Sequence, residues 1–173
     1  MSASYNKNHL NILDIANYII EKAAEKEIKD ITNLKLQKLT YYIHAQFLID
    51  NSSDKTNLKT ITDDVFEAWT YGPVCSYLYF EFKEYKRNPL KTHEKGDSSK
   101  LKEPQYKAHK KAIDQIIKLY GKVEPIHLIH QTHSEAPWKD IYKDIECFDN
   151  KVIENIDIYN FYRTYRIKPI IKR

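Results

Sequence analysis

The chain has 173 residues, 42% of them hydrophobic, which is the size and composition of one ordinary domain with a single core. No run approaches the roughly 18 apolar residues of a membrane span, and no secretion signal begins the chain, so we expect a soluble cytoplasmic protein. Two cysteines, Cys75 and Cys147, do not make a disulfide framework or a thiolate zinc site, and we expect both to be buried thiols. Three glycines leave no glycine-rich loop for a phosphate and favour a mainly helical fold.

The formal net charge of +4 is unevenly distributed along the chain. Residues 83–122 carry 12 basic and 5 acidic side chains, whereas residues 123–162 carry 3 basic and 8 acidic ones. A basic segment of this kind is compatible with a solvated surface, an acidic protein partner or nucleic acid. The excess is rich in lysine and mixed with glutamate, which favours the solvated surface and makes nucleic acid the least favoured of the three.

Two amphipathic helices are predicted first. Asn11 is a suitable cap for a helix that runs to about Lys26, and Thr32 is a suitable cap for the next one. The apolar face of the second helix is formed by Leu36, Leu39, Ile43 and Phe47. We expect Lys35 and Lys38 to project from its other faces, and the two helices to pair as an antiparallel hairpin.

The next part of the chain combines a loop, a strand and a short helix. Residues 50–59 are polar and predict a loop, and residues 65–69 alternate in the manner of a strand. Gly72 and Pro73 predict a turn, after which residues 74–85 resume a helical pattern. Its aromatic side chains are too costly to expose together; they are Tyr77, Phe80 and Tyr85.

Residues 86–103 are rich in lysine and serine, and Pro89 and Gly96 interrupt any helix there, so we expect an exposed basic loop and the best candidate for disorder. Pro104 opens a helix that we expect to end at Gly121 in a left-handed cap.

Pro125 and Pro137 then begin two short helices, Asn155 is a candidate cap for the last helix, and residues 167–173 form a basic tail. These elements predict a mainly α fold. We expect residues 1–173 to form a single compact multi-helix domain with a small β element near residues 65–70.

Two groups of residues are candidates for metal binding or catalysis. His127, His130 and His133 recur every third residue, but this spacing rotates successive side chains apart on a helix, and no HExxH motif is present. Cys75 with His133 is a possible nucleophile and base, yet no nucleophile motif surrounds the cysteine. Packing at a helix end explains the histidines equally well, so we expect no metal, no cofactor and no catalytic residue.

Two units that combine a turn with aromatic rings are more informative. The first contains Trp69, Tyr71, Gly72 and Pro73, and the second contains His133, Pro137 and Trp138. Such units line recognition grooves, because rigid aromatic rings supply a large contact area at little entropic cost. The alternative is a corner of the core that fixes the start of two helices.

Three blocks of this sequence together resemble the Panacea antitoxin domain, a bacterial and phage family also described as SocA-like or GepA-like. They are ITNLKLQKLTYY (31–42), FEAWTYGPV (66–74) with YFEFKEY (79–85), and LIHQTHSEAPWKDIY (128–142). Their order and spacing follow the family pattern from about Leu10 to Phe161. Any one block alone would be weak, whereas the ordered set is specific.

The resemblance implies an antitoxin that neutralises a cognate protein toxin by direct stoichiometric binding and is not an enzyme. Within the family, an alternative is an adaptor that delivers the toxin to a cytoplasmic protease. A nucleic-acid-binding regulator is a further alternative, and no membrane association is expected. The aromatic units above are the candidate signature groove, and the candidate residues for electrostatic steering of the partner are Lys91, Lys95, Lys100 and Lys102.

Overall fold

The computed structural model describes residues 10–143 and 151–170. Within these ranges the helices are α1 (Ile12–Glu25), α2 (Asn33–Asn51), α3 (Ser76–Phe82), α4 (Lys107–Tyr120), α5 (Pro125–Ser134), α6 (Ala136–Tyr142) and α7 (Asn155–Tyr165). The strands are β1 (Phe66–Trp69), β2 (Gly72–Val74) and β3 (Val152–Ile153). The fold is therefore the mainly α, single compact multi-helix domain with a small β element that the sequence predicts.

The first two helices begin where their capping residues predict. Asn11 Oδ1 accepts hydrogen bonds from the backbone amides of Leu13 and Asp14, and the Asp14 carboxylate accepts one from the Asn11 amide, which completes a capping box. Thr32 Oγ1 accepts from the Lys35 amide at 3.3 Å at the start of α2. Both caps satisfy amides that the helix itself cannot pair.

Helix α2 is the central element of the fold. It packs against α1, α3, α4, α5, α7 and β2, so almost all of its length is buried. The prediction that Lys35 and Lys38 project from its other faces was therefore wrong, because both side chains are fully buried. The apolar stripe of a helix predicts one buried face and one solvent face. It does not predict the burial of the opposite face in a helix that other elements surround.

The sheet is antiparallel, with strand order β2-β1-β3. Trp69 pairs with Gly72, so the hairpin turns at Thr70 and Tyr71 rather than at Gly72 and Pro73 as the sequence predicts. Pro73 is tolerated in β2 because this strand lies at the edge of the sheet.

The short helix α3 exposes more aromatic surface than expected. Phe82 is fully buried, whereas Phe80 is 55% exposed and Tyr77 is 37% exposed. The ring of Phe80 nevertheless lies 5.5 Å from that of Tyr79 and 6.4 Å from that of Trp69. An aromatic cluster is therefore open to solvent at this end of the hairpin.

Residues 86–103 are mostly exposed, but the prediction of disorder was wrong. The segment contains a 3-10 helix (Ser98–Lys102) and buries Leu90 and Leu101 in the core. Asn17 of α1 donates to the carbonyls of His93 and Gly96 and accepts from the His93 amide at 2.6 Å. One buried amide thus fixes a loop whose composition is typical of a flexible segment.

The helices that follow begin near the predicted prolines, with two differences. Gly121 has a φ of −56°, so it is not a left-handed cap; a Cβ there would collide with the Ile117 carbonyl oxygen and would meet the Ile28 side chain at 2.7 Å. The last helix is capped at Glu154, and the neighbouring Asn155 side chain instead pairs with His44 Nε2 at 2.7 Å. Close packing is the physical reason at Gly121, and the hydrogen bond to His44 is the reason at Asn155.

The end of the described chain lies on α4, where the Tyr120 hydroxyl donates to the Lys168 carbonyl at 2.6 Å. Cys147 and residues 171–173 of the basic tail lie outside the described residues. Among the helices described, none has both the length and the apolar character that crossing a membrane requires.

Candidate functional site

The two aromatic units that the sequence singles out meet at the β-hairpin. Trp138 of α6 is 7% exposed, and its indole N–H donates to the Trp69 carbonyl at 2.9 Å. Pro137 lies in the first turn of α6, where its missing N–H leaves no helical bond unmade. One hydrogen bond thus connects blocks that lie 69 residues apart in the sequence.

A stack of rings supports this junction. The rings of His133 and Trp138 are 3.9 Å apart and nearly parallel, and Tyr142 stacks on the other side of Trp138 at 4.4 Å. Burial and the nearby Lys38 ammonium lower the pKa of His133, which a backbone hydrogen bond with Thr70 opposes. A neutral imidazole in a ring stack contributes packing at this junction.

The other histidines of α5 do not join His133 in a metal site. His130 is exposed, and His127 lies 4.0 Å from the Glu124 carboxylate. In the part of the chain that the structure describes, no three His, Cys, Asp or Glu side chains are grouped as metal ligands.

Lys38 lies beneath the hairpin and was missed as a site residue. Its ammonium donates to the Pro73 carbonyl at 2.7 Å, and burial lowers the pKa of Lys38 to about 7. Gly72 has a φ of +98°, and a Cβ there would meet Thr132 Oγ1 at 2.7 Å and Lys38 Nζ at 2.9 Å. Only glycine fits this approach, so Lys38 and Gly72 together position the hairpin on α2.

A second polar link joins α2 to α3. The Asn33 amide donates to the Tyr79 carbonyl, Gln37 donates to Asn33, and the Cys75 backbone amide donates to Gln37, each at 3.0 Å. Burial raises the pKa of the Cys75 thiol to about 12, which keeps it protonated at neutral pH. This is the opposite of the lowered pKa that a nucleophilic cysteine requires.

The third block contributes a buried acid that sequence analysis also missed. Glu135 accepts hydrogen bonds from the hydroxyls of Tyr42 at 2.9 Å and Tyr162 at 2.6 Å, and from Gln131 at 2.9 Å. Burial raises the pKa of Glu135, and these three bonds oppose the rise. The cluster fastens the junction of α5 and α6 to α2 and α7. No sequence pattern indicates this role, because both tyrosines belong to distant helices.

The residues of the predicted signature groove lie in two different places in the structure. Gly72, Pro73, Pro137 and Trp138 are buried, and His133 lies in the ring stack behind the hairpin. Trp69 and Tyr71 instead line an open cleft of about 440 Å³ between α2, the hairpin and α3. We call this the hairpin cleft; its other lining residues are Asn33, Leu34, Gln37, Thr70, Val74, Tyr79, Lys83 and Lys86.

The four candidate steering lysines are also not equivalent. Lys91 and Lys102 are exposed, whereas Lys95 pairs with Glu81 at 3.1 Å. Lys100 lies 2.9 Å from the carboxylate of Asp14, which is fully buried at the start of α1. Lys100 therefore has a structural role, and its charge reversal would not spare the fold as an exposed lysine would.

Comparisons with known proteins agree with this arrangement of blocks. The family described as antitoxin SocA-like, Panacea domain, matches residues 36–139, a range that contains the hairpin, α3 to α5 and most of α2. The chain belongs to this family.

A curated relative, Antitoxin SocA of Caulobacter vibrioides (strain NA1000 / CB15N), is 40% identical over 65 residues. The aligned stretch covers 38% of this chain and 31% of that protein. No solved structure matches.

Proposed function

We propose that this protein is an antitoxin that neutralises a cognate protein toxin in the cytoplasm by direct, stoichiometric binding. The observation that carries the proposal is membership of the SocA-like antitoxin family across residues 36–139. The relative with 40% identity is itself named an antitoxin.

The chemistry of the signature blocks supports binding without catalysis. Three of their polar side chains are buried and engaged within the fold: Lys38 bonds to the hairpin, Glu135 to two tyrosines and Gln37 to the Cys75 amide. The Cys75 thiol is 2% exposed and its pKa is raised to about 12. These groups make a rigid scaffold, and a rigid scaffold suits a protein that occludes a surface of its partner.

Co-expression with the gene that lies beside this one is the test. We expect the neighbouring gene's product to arrest growth when it is expressed alone. We expect growth to resume when this chain is expressed with it. Continued arrest, with this chain present in soluble form, would contradict the proposal.

The amount of toxin in the rescued cells distinguishes direct binding from delivery to a protease. Under direct binding, rescued cells retain the toxin in a complex that purifies with this chain. Rescue accompanied by loss of the toxin, and abolished in cells lacking a cytoplasmic protease, would replace direct binding with the adaptor mechanism.

A further inference from the structure

The hairpin cleft has an apolar interior. Its walls include Leu34, Val74 and the rings of Trp69, Tyr71 and Tyr79, and the Trp69 and Tyr79 rings lie 5.1 Å apart. The amides of Asn33 and Gln37 lie at its base, but both donate to groups within the fold. An occupant therefore meets aromatic and aliphatic surface, and a volume of about 440 Å³ suits one or two large side chains.

The rim of the cleft is basic. Lys83 and Lys86 are both exposed, and among the described lining residues none is acidic. The nearest acid of the hairpin, Glu67, accepts from the Trp69 indole at 2.7 Å and from the Ser76 hydroxyl at 3.0 Å, so it is already engaged. The cleft thus combines an apolar interior with two positive charges at its edge.

Exposed aromatic rings adjoin the rim of the cleft. Tyr71 is 64% exposed, and Phe80, which is 55% exposed, lies 6.4 Å from the Trp69 ring and 5.5 Å from the Tyr79 ring. Exposed aromatic surface beside a charged rim is typical of protein interfaces.

We propose that the hairpin cleft receives a short segment of the partner toxin in which a large apolar side chain lies beside a carboxylate. The apolar side chain packs between Trp69, Tyr71 and Tyr79, and the carboxylate pairs with Lys83 or Lys86. This inference rests on the proposed antitoxin function and adds the surface and the chemistry of the partner. Charge complementarity selects an acidic segment over a basic or neutral one.

Photocrosslinking of the complex with the neighbouring gene's product tests the location. A p-benzoyl-phenylalanine at position 71 is compared with one at position 165, because Tyr71 and Tyr165 are similarly exposed, at 64% and 58%. We expect position 71 to crosslink to one toxin peptide that contains an aliphatic or aromatic residue next to Asp or Glu. A crosslink at 165 but not at 71, a peptide without an acid, or a crosslink between two copies of this chain would overturn the proposal.

A pair of charge variants tests the chemistry. The double variant Lys83→Glu and Lys86→Glu should weaken toxin binding at least tenfold, with slower association at low salt. Lys118→Glu with Lys122→Glu makes the same change in net charge at exposed positions outside the cleft and should leave binding within twofold.

Thermal unfolding of all variants confirms that they are folded. Equal binding by the two folded double variants overturns the cleft proposal, whereas failure of the unaltered protein to neutralise overturns the antitoxin function itself.

Discussion

Lys38 shows how a single buried amine holds a signature element in place. Its ammonium is fully buried and bonds to the Pro73 carbonyl, and no carboxylate among the described residues forms an ion pair with it. Burial without an opposite charge penalises the charged form, which is the cause of its lowered pKa, about 7. The folded protein therefore binds fewer protons at this site than the unfolded chain does.

The first prediction follows from that difference. Between pH 7 and 10 the unfolded chain retains the Lys38 proton that the folded protein loses, so the free energy of unfolding should rise with pH, by up to about 1.4 kcal/mol per unit. Substitution Lys38→Met removes this contribution. Urea unfolding of both proteins should show the stability of wild type rising relative to Lys38→Met across this window.

Lys118→Met removes one charge from an exposed position and serves as the matched control. A difference between wild type and Lys38→Met that stays constant from pH 7 to 10 would contradict the lowered pKa.

The second prediction concerns the stability contribution of Trp138. Its ring is 7% exposed and stacked on both faces, so Trp138→Ala should lower the free energy of unfolding by about 3–5 kcal/mol. Trp138→Phe keeps most of the packing but removes the indole donor from the Trp69 carbonyl, which still pairs with Gly72 across the hairpin, so we expect a cost of about 0.5–1.5 kcal/mol for the lost hydrogen bond. Denaturant unfolding measures both losses. A loss below about 1 kcal/mol for Trp138→Ala would contradict its place in the core.

At the scale of elements, the segment 86–103 depends on α1. Asn17 makes three hydrogen bonds to His93 and Gly96, and a Cβ at Gly96 would meet the Leu13 carbonyl oxygen at 2.5 Å. This close approach leaves room for nothing larger than glycine. The segment is therefore packed tightly against α1 at the edge of the core.

Asn17→Ala should release the segment. Loss of the three bonds removes the polar contacts by which Asn17 fixes the segment on α1, so we expect tryptic cleavage within 86–103 to become at least several-fold faster while α2 stays protected. Asn51→Ala, which removes one local bond to the Phe47 carbonyl, is the matched control. Equal cleavage rates for wild type and Asn17→Ala would show that other contacts hold the segment.

Local signals in the sequence predicted the starts of most elements. Asn11 and Thr32 act on amides within three residues, and Pro125 and Pro137 fix the first turn of their own helices. The burial of Lys38 could not be predicted in this way, because it depends on a carbonyl 35 residues away. The same holds for Asn17, whose partners are 76 and 79 residues distant.

The candidate site was predicted only in part for the same reason. Trp69 and Tyr71 line the hairpin cleft as the aromatic pattern indicates, but Pro137 and Trp138 lie behind it. The polar residues that position the cleft, Asn33 and Gln37, occupy ordinary helical positions and carry no distinctive sequence signal.

At the scale of the whole molecule, the basic middle of the chain is partly neutralised. Lys95 pairs with Glu81 and Lys100 with Asp14, which leaves fewer charges for a phosphate backbone. We expect weak binding to DNA that falls roughly tenfold or more between 50 and 200 mM salt if several phosphates are contacted.

Fluorescence anisotropy measures the affinity of the protein for the promoter DNA of its own operon and for a shuffled sequence of the same composition. No preference is expected at near-physiological salt. Tight, sequence-selective binding there would add transcriptional regulation to the account.

We propose that one molecule of this protein silences one molecule of toxin by binding alone, with no covalent change in either. Titration of a fixed amount of purified toxin, with residual toxin activity as the readout, tests it most directly. We expect a linear fall in toxin activity that reaches zero at one equivalent, does not deepen with time and is unchanged by Cys75→Ser in a folded protein. Inactivation by far less than one equivalent that progresses with time, or full toxin activity at excess antitoxin, would contradict it.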